Sequence, residues 1–267
     1  MSSIQTNKKK LVKISVAGQI DAPSFPAVPW NPHFISREGK ATLLPLNGGI
    51  VYNVRLGDAA LGWAAELVEP CVSIRAKDDA AHRALKVFAC VGNSARVMSG
   101  RAQGAQGIVT GKSGRFMDHV NIDFEPGILE KLAVGDSVQI KAYGRGASIE
   151  GFPDIQVKNV SPGLVEQMGI TISGGKLCVP VVTTIPARLV GAGTGLDSDG
   201  GCLQIQTGSP GVAESLGLRN LRLGDLVAVE DYDCRFAPGY LRGAMSIGIV
   251  GHGDSVRMGF GPGMTMI

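Results

Sequence analysis

The chain has 267 residues, with 26 Lys and Arg against 23 Asp and Glu and a formal net charge of +3. Its 38 glycines are about twice the usual share, whereas charged residues make up only 18%. Long helices and coiled coils are excluded, because glycine weakens helix interiors and few charges remain to solvate helical faces; a 44% hydrophobic content excludes disorder.

The charge has no basic face, since the only concentrated run is Lys8-Lys9-Lys10, so no nucleic-acid partner is expected. No stretch approaches the ~18 uninterrupted apolar residues that cross a bilayer, and the start MSSIQTNKKK lacks the basic-then-apolar order of a secretion signal. A cytoplasmic protein without a membrane partner is the expectation. The five cysteines are odd in number and scattered, with no C-x-x-C pair, so they read as reduced small hydrophobes rather than as disulfides or a zinc cage.

In chain order, alternating apolar runs between turn signals predict strands at 10–16, 49–56, 68–74, 84–91, 95–99, 106–111, 119–124, 137–143 and 154–160. Further strands are predicted at 176–185, 203–207, 226–231, 245–250 and 254–259. Helix signals are few: 79–84, 126–132 and two Ser-Pro-Gly turns at Ser161 and Ser209, where Ser caps, Pro opens and Gly closes about two turns. The fold class is therefore all-β, or β-dominated α+β, with two barrel-like halves and a few short helices. The halves are placed at 1–160 and 161–267.

Internal repetition supports two β-rich halves. The pattern L-x-x-L-x-x-G-D-x-V runs from Leu129 through Gly135-Asp136 to Tyr143, and again from Leu218 through Gly224-Asp225 to Tyr232. Each copy reads as a turn, a Gly-Asp corner and a strand. The glycines of Ala95–Lys112 resemble those of the small SH3-like KOW barrels, in which a tight loop joins two hairpin strands. Members of that family bind RNA, but this loop has no stacking aromatic, and a plain barrel hairpin is the stronger reading.

Four passages together resemble the bacterial and archaeal family of domain of unknown function 4438. They are Gly49–Asp58, Gly62–Pro70, Gly107–Lys112 and the closing run from Gly243 through His252-Gly-Asp254-Ser255 to Gly263. A shorter likeness, Lys176–Val182 with Pro186–Gly193 and Asp199-Gly200-Gly201, resembles the acetamidase/formamidase family and implies amide hydrolysis. Only Asp199 and Gly200 carry over to that family's polar Gly-Asp segment near its site; its usual histidine and glutamate after the turn are absent.

Several polar positions are candidates for chemistry. Strand alternation would put His252 and Asp254 on one face, where an imidazole and a carboxylate can move a proton or hold a metal; a structural turn cap is the alternative. Asp231 and Asp233 would likewise share a face and could bind a divalent metal ion through oxygen, though a solvated strand end also explains them. The loop Gly191–Gly201, with Asp197 and Asp199, can present backbone amides to an anion or simply form a hairpin tip. It is neither a P-loop nor a dinucleotide fingerprint, so no nucleotide cofactor is expected. Gln204 and Gln206 follow it on one strand face. Asn53, Trp63 and Glu66 are candidate substrate-binding residues from the first half, and Cys71 would need a histidine partner to act as a nucleophile. The Gly-rich apolar end, Gly259–Ile267, suggests a subunit interface and hence a homo-oligomer.

The expectation is a hydrolase of a small amide or related polar metabolite, with a possible divalent metal. Its site would lie between the halves: catalytic His252, Asp254 and Asp199, substrate-binding Asn53, Trp63, Glu66, Gln204 and Gln206, and metal-binding Asp231 and Asp233. The alternative is a non-catalytic oligomer that binds a metabolite or ion.

Overall fold

The computed structural model describes residues 4–23, 33–114, 119–194 and 198–267. The N-terminal part supplies strands β1 (Ile14–Ile20), β2 (Phe34–Ile35), β3 (Ala41–Thr42) and β4 (Val72–Arg75), then helix α1 (Asp79–Phe88). It continues with β5 (Ser94–Val97), β6 (Gln106–Lys112), β7 (Val120–Asp123), the one-turn helix α2 (Pro126–Leu129) and β8 (Ser137–Ala142). Six of these strands close into a barrel in the order β1-β4-β7-β6-β5-β8. Closure leaves no open edge to pair with other chains. Ile74, Val97, Val109, Ile122, Val138 and Ile140 fill the interior, and α1 adds Leu85.

The C-terminal part begins with helix α3 (Pro162–Gln167) and the hairpin β9 (Thr171–Ser173) with β10 (Lys176–Cys178). It then supplies β11 (Thr183–Pro186), β12 (Leu203–Gln204), helix α4 (Pro210–Ser215), β13 (Leu226–Asp233), β14 (Gly239–His252) and β15 (Gly263–Met266). The last five strands form one sheet in the order β11-β13-β14-β15-β12. Its core holds Ile185, Leu203, Ile205, Val227, Val229, Val250 and Met264. The molecule is thus all-β with short helices. Among the described residues no helix is long and apolar enough to cross a membrane.

One local device recurs three times. At Gly135-Asp136, the Asp136 carboxylate accepts the Ala133 N–H at 2.9 Å, and the Asp136 N–H donates to the Ala133 carbonyl at 3.0 Å. Asp225 repeats this with Arg222 at 2.7 and 3.1 Å, and Asp58 with Arg55 at the same distances. The glycine before each aspartate has φ between 90 and 99°, a region where L side chains are disfavoured. The side chain mimics a backbone turn, which is why Gly-Asp precedes β8 and β13.

Barrel and sheet meet along a seam where two backbones touch. A Cβ added to Gly111 of β6 would lie 3.0 Å from the Cα of Gly251 in β14. Beside it the Lys112 N–H donates to the Thr265 hydroxyl of β15 at 2.9 Å.

Several expected elements differ. Residues 84–91 belong mostly to α1, because Asp78 caps the helix by accepting the Ala81 N–H at 2.8 Å and an amphipathic stripe buries His82 and Leu85. The ranges 49–56, 154–160 and 254–259 contain no strand, and the last strand lies at 263–266 instead. The capping bond is made by Ser161 but not by Ser209. The closing Gly-rich run is internal to the chain. It lies so close to the end of β12 and to His252 that a Cβ on Gly261 would be 1.8 Å from the Ile205 carbonyl and one on Gly263 1.8 Å from the His252 ring, so these two glycines serve packing within the chain.

Candidate active site in the seam

Antiparallel register places Ser73, Asn121 and Gly111 opposite one another on β4, β7 and β6, hence in one row on the outer barrel face. Gly111 presses on Gly251, so this row faces the second sheet. A polar layer is buried there.

Its first group centres on Glu69, which is fully buried. The carboxylate accepts the Gly48 N–H at 2.9 Å and the Ser73 hydroxyl. The Nδ1 of His119 lies 3.0 Å away, and His119 Nε2 stands 3.3 Å from the Asp21 carboxylate. Burial pushes the Glu69 carboxyl up, but the imidazolium of His119 and the hydrogen bonds from His119, Ser113 and Ser73 outweigh it, leaving a pKa of about 2. Burial pulls His119 down, and Glu69 and Asp21 more than restore it, so its pKa is raised. An imidazolium between two carboxylates donates from both ring nitrogens.

The second group is Cys202 with His252. The Sγ of Cys202 lies 3.3 Å from His252 Nε2, and His252 Nδ1 lies 3.1 Å from the Gly253 carbonyl. A carbonyl has no proton to give, so Nδ1 carries the hydrogen and Nε2 is the acceptor facing the thiol. Burial lowers the His252 pKa, which keeps the ring neutral. Glu69 and Asp254 act weakly in the opposite direction. The ring occupies space left by a missing side chain, for a Cβ on Gly263 would sit 1.8 Å from Nε2.

Asn121 belongs to the same layer, and Lys112, next to Gly111 on β6, is buried in a cluster of its own beside it. Asn121 is fully buried, and among the described residues neither its Nδ2 nor its Oδ1 has a partner. A buried amide without partners costs stability and marks a position able to bind water or a ligand. Lys112, also buried, donates from Nζ to Asn159 Oδ1 at 2.7 Å and to the Asp199 carbonyl at 2.8 Å. Burial brings its pKa down to about 7, and two acceptors match the two hydrogens of a neutral amine.

The sequence-derived candidates distribute unevenly around this layer. His252 is in it. Asp254 is not its partner: β14 ends at His252, so strand alternation stops there, and Asp254 instead accepts the Thr207 hydroxyl at 2.7 Å. Asp199 meets Lys112 through its carbonyl, while its carboxylate meets Arg145 at 2.9 Å and Lys158 at 3.2 Å. Glu66 is buried but serves a separate cluster, accepting from the Ser255 hydroxyl, the Val256 N–H and Arg257 Nε at 2.7 to 3.0 Å. Arg257 is held there between the rings of Phe34 and Phe260. Gln204 accepts the Gly261 N–H at 3.3 Å, and Gln206 donates to the Val190 carbonyl at 3.1 Å; both tie loops together. Asn53 is exposed, and Trp63, also exposed, donates to the Ala59 carbonyl at 2.7 Å. Asp197 lies outside the described residues.

Asp231 and Asp233 do not form a pair. A bulge between Glu230 and Tyr232 puts Asp231 at φ 55°, where its carboxylate accepts the Gly243 N–H at 2.7 Å, and Asp233 binds Arg235 at 3.0 Å. The bulge breaks the two-residue period on which the shared face depended. Among the described residues no group of three or more His, Cys, Asp or Glu gathers as a metal site would require. Cys71 has no histidine partner; its thiol donates to Asp123 at 2.7 Å, and burial with that bond pushes its pKa up to about 12.

Sequence reasoning missed Cys202, His119 and Asn121 as members of one layer, and the buried Lys112 beside it. The available signals were the Gly200-Gly201-Cys202 run and the polar Asn121 inside the apolar Val120–Ile122 strand.

A crystal structure of the protein known as TM1086 is similar over 100% of this chain and 92% of that one, with 41% identity and a TM-score of 0.93. No curated protein matches the chain. The family model described as domain of unknown function (DUF4438), N-terminal, matches residues 33–166, and its C-terminal counterpart matches 167–267. With the two models matched end to end over residues 33–267, the chain belongs to the DUF4438 family.

Proposed function

We propose that the protein hydrolyses a small amide or a related polar metabolite at a C–N bond, using Cys202 as nucleophile and His252 as its base. The observation that carries this reading is the 3.3 Å approach of Cys202 Sγ to His252 Nε2, with Nδ1 fixed on the Gly253 carbonyl. A thiol beside an oriented neutral imidazole is the basic requirement of covalent catalysis by cysteine.

His252 Nε2 takes the thiol proton as sulfur bonds to the substrate carbonyl carbon. The C–N bond then breaks, and the leaving amine takes that proton from His252, which leaves a thioester on Cys202. Water attacks the thioester and gives one proton to His252; the S–C bond breaks, the acid departs, and His252 returns the proton to sulfur. The net reaction consumes one water and needs no oxidant. Asn121 is the buried amide of the same layer with hydrogen-bond donors unused among the described residues, the chemistry that stabilises an oxyanion. No step uses a metal ion.

A reduced thiol suits the cytoplasm. A homo-oligomer is supported by a groove of about 780 Å³ lined by Met168, Leu177, Leu241, Met245 and Ile247. Phe236 and Met245 are 76% and 57% exposed there or beside it.

The test is acetylation by p-nitrophenyl acetate, followed by intact and peptide mass spectrometry. A burst of p-nitrophenol with the acetyl group on Cys202 is expected. Cys202→Ala abolishes it, and His252→Ala slows it about a thousand-fold, both with unchanged circular dichroism. Absence of a burst, or acetylation elsewhere, rejects the nucleophile and leaves the non-catalytic binding protein as the better description.

A further inference from the structure

Away from Cys202, a second cleft of about 400 Å³ opens between the segment around Arg37, helix α4 and the loops around Thr207 and Asp254. That volume is at the low end for small-ligand sites, about 300–1,000 Å³. Its polar groups are of both signs and unequally committed. The Arg37 guanidinium is fixed: Nη2 donates to the Ser255 carbonyl at 2.6 Å and Nη1 to the Thr207 hydroxyl at 3.3 Å. Arg219, carried on the turn Leu218–Asn220, lines the same cleft, is exposed and has no partner among the described residues. Asp254 uses Oδ1 to accept from Thr207, while its Oδ2 stands 3.6 Å from Arg37, beyond hydrogen-bond range. Leu61, Ala213 and Val256 supply apolar wall.

We propose that this cleft binds a small zwitterion, an α-amino acid with an apolar side chain. The planar fork of Arg219 receives the carboxylate, where two parallel N–H bonds are possible. The Oδ2 of Asp254, which among the described residues accepts no hydrogen bond and is held only in a long ion pair with Arg37 at 3.6 Å, receives the ammonium. A dianion would meet Asp254 and Glu38, which also lines the cleft, and a simple cation would meet two guanidiniums. Only a ligand of both charges satisfies the two ends together, and the apolar wall selects its side chain. The site is independent of the thiol chemistry above and shares none of its residues.

Isothermal titration of the whole protein with L-leucine tests this, with L-aspartate, acetate and methylammonium as separate ligands at constant ionic strength. Leucine binding is expected, at least tenfold tighter than any of the other three. Arg219→Gln, on the surface, and Asp254→Asn, which keeps the Thr207 bond, each weaken it about tenfold or more. No leucine binding overturns the proposal, as does acetate binding equal to leucine or leucine binding unchanged in Arg219→Gln.

Discussion

Glu69 shows how a buried charge is kept and what it contributes. Its folded pKa of about 2 lies below the ordinary 4.5, so the unfolded chain binds the proton first as pH falls. The stability it contributes is complete above pH 4.5 and is lost progressively down to about pH 2. The size is about 3 kcal/mol, shared with His119 rather than additional to it. Urea titrations between pH 3 and 6 should show a shallower acid limb for Glu69→Gln, which also leaves the His119 cation facing a neutral amide. Lys112 gives a slope of the same sign at higher pH, but as a cost of burying an amine rather than as a gain from a paired charge. The unfolded chain takes up its proton at 10.5 and the folded one only near 7, so stability rises with pH between those values. Lys112→Met should flatten that slope between pH 7.5 and 9.5 in the same titrations, whatever it does to absolute stability. At this scale the sequence was partly legible. His252 stood out as an imidazole ending an apolar strand, but its partner Cys202 is 50 residues away, and no spacing rule connects them. Asp254 was misassigned because alternation was carried one step past the last residue of β14.

At the scale of elements, the Gly-Asp corners were legible because the device is local: a glycine for φ and an aspartate for the turn, adjacent in sequence. Removing the carboxylate in Asp225→Ala should cost about 1 kcal/mol, comparable to losing a helix cap, and a thermal melt measures it. Helix α1 was half read as a strand because Ala84–Val91 is apolar enough for either form. Asp78 and the buried stripe decide in favour of the helix. The bulge at Asp231 was not legible at all, since it depends on the Gly243 N–H from the opposite strand. Gly263→Ala probes β15 directly. With a Cβ 1.8 Å from His252 Nε2, the ring must turn away from Cys202. The acetylation burst should fall at least tenfold while Ser255 and Glu66, on the far side of Gly253, keep their bond.

For the whole molecule, composition and turn density were enough for an all-β architecture with short helices. Its seam was not, because the closeness of Gly111 to Gly251 joins β6 and β14 from opposite parts of the chain. The proposal of a homo-oligomer rests on the exposed apolar groove beside Met245 rather than on the closing glycines. Light scattering on a sizing column should give a mass above that of one chain, and Met245→Arg with Leu241→Glu should lower it without changing the circular dichroism. The backbone contact of Gly111 and Gly251 also bears on inheritance. Gly111 cannot gain a side chain unless Gly251 gives by a few tenths of an ångström, and the polar layer around them is assembled from both halves. A chimaera that joins residues 1–166 of this protein to the C-terminal part of a relative therefore needs a backbone at the Gly251 position that lies as close to Gly111 as it does here. Recombination within the family is free to exchange loops, but it must transmit the two sides of that line together.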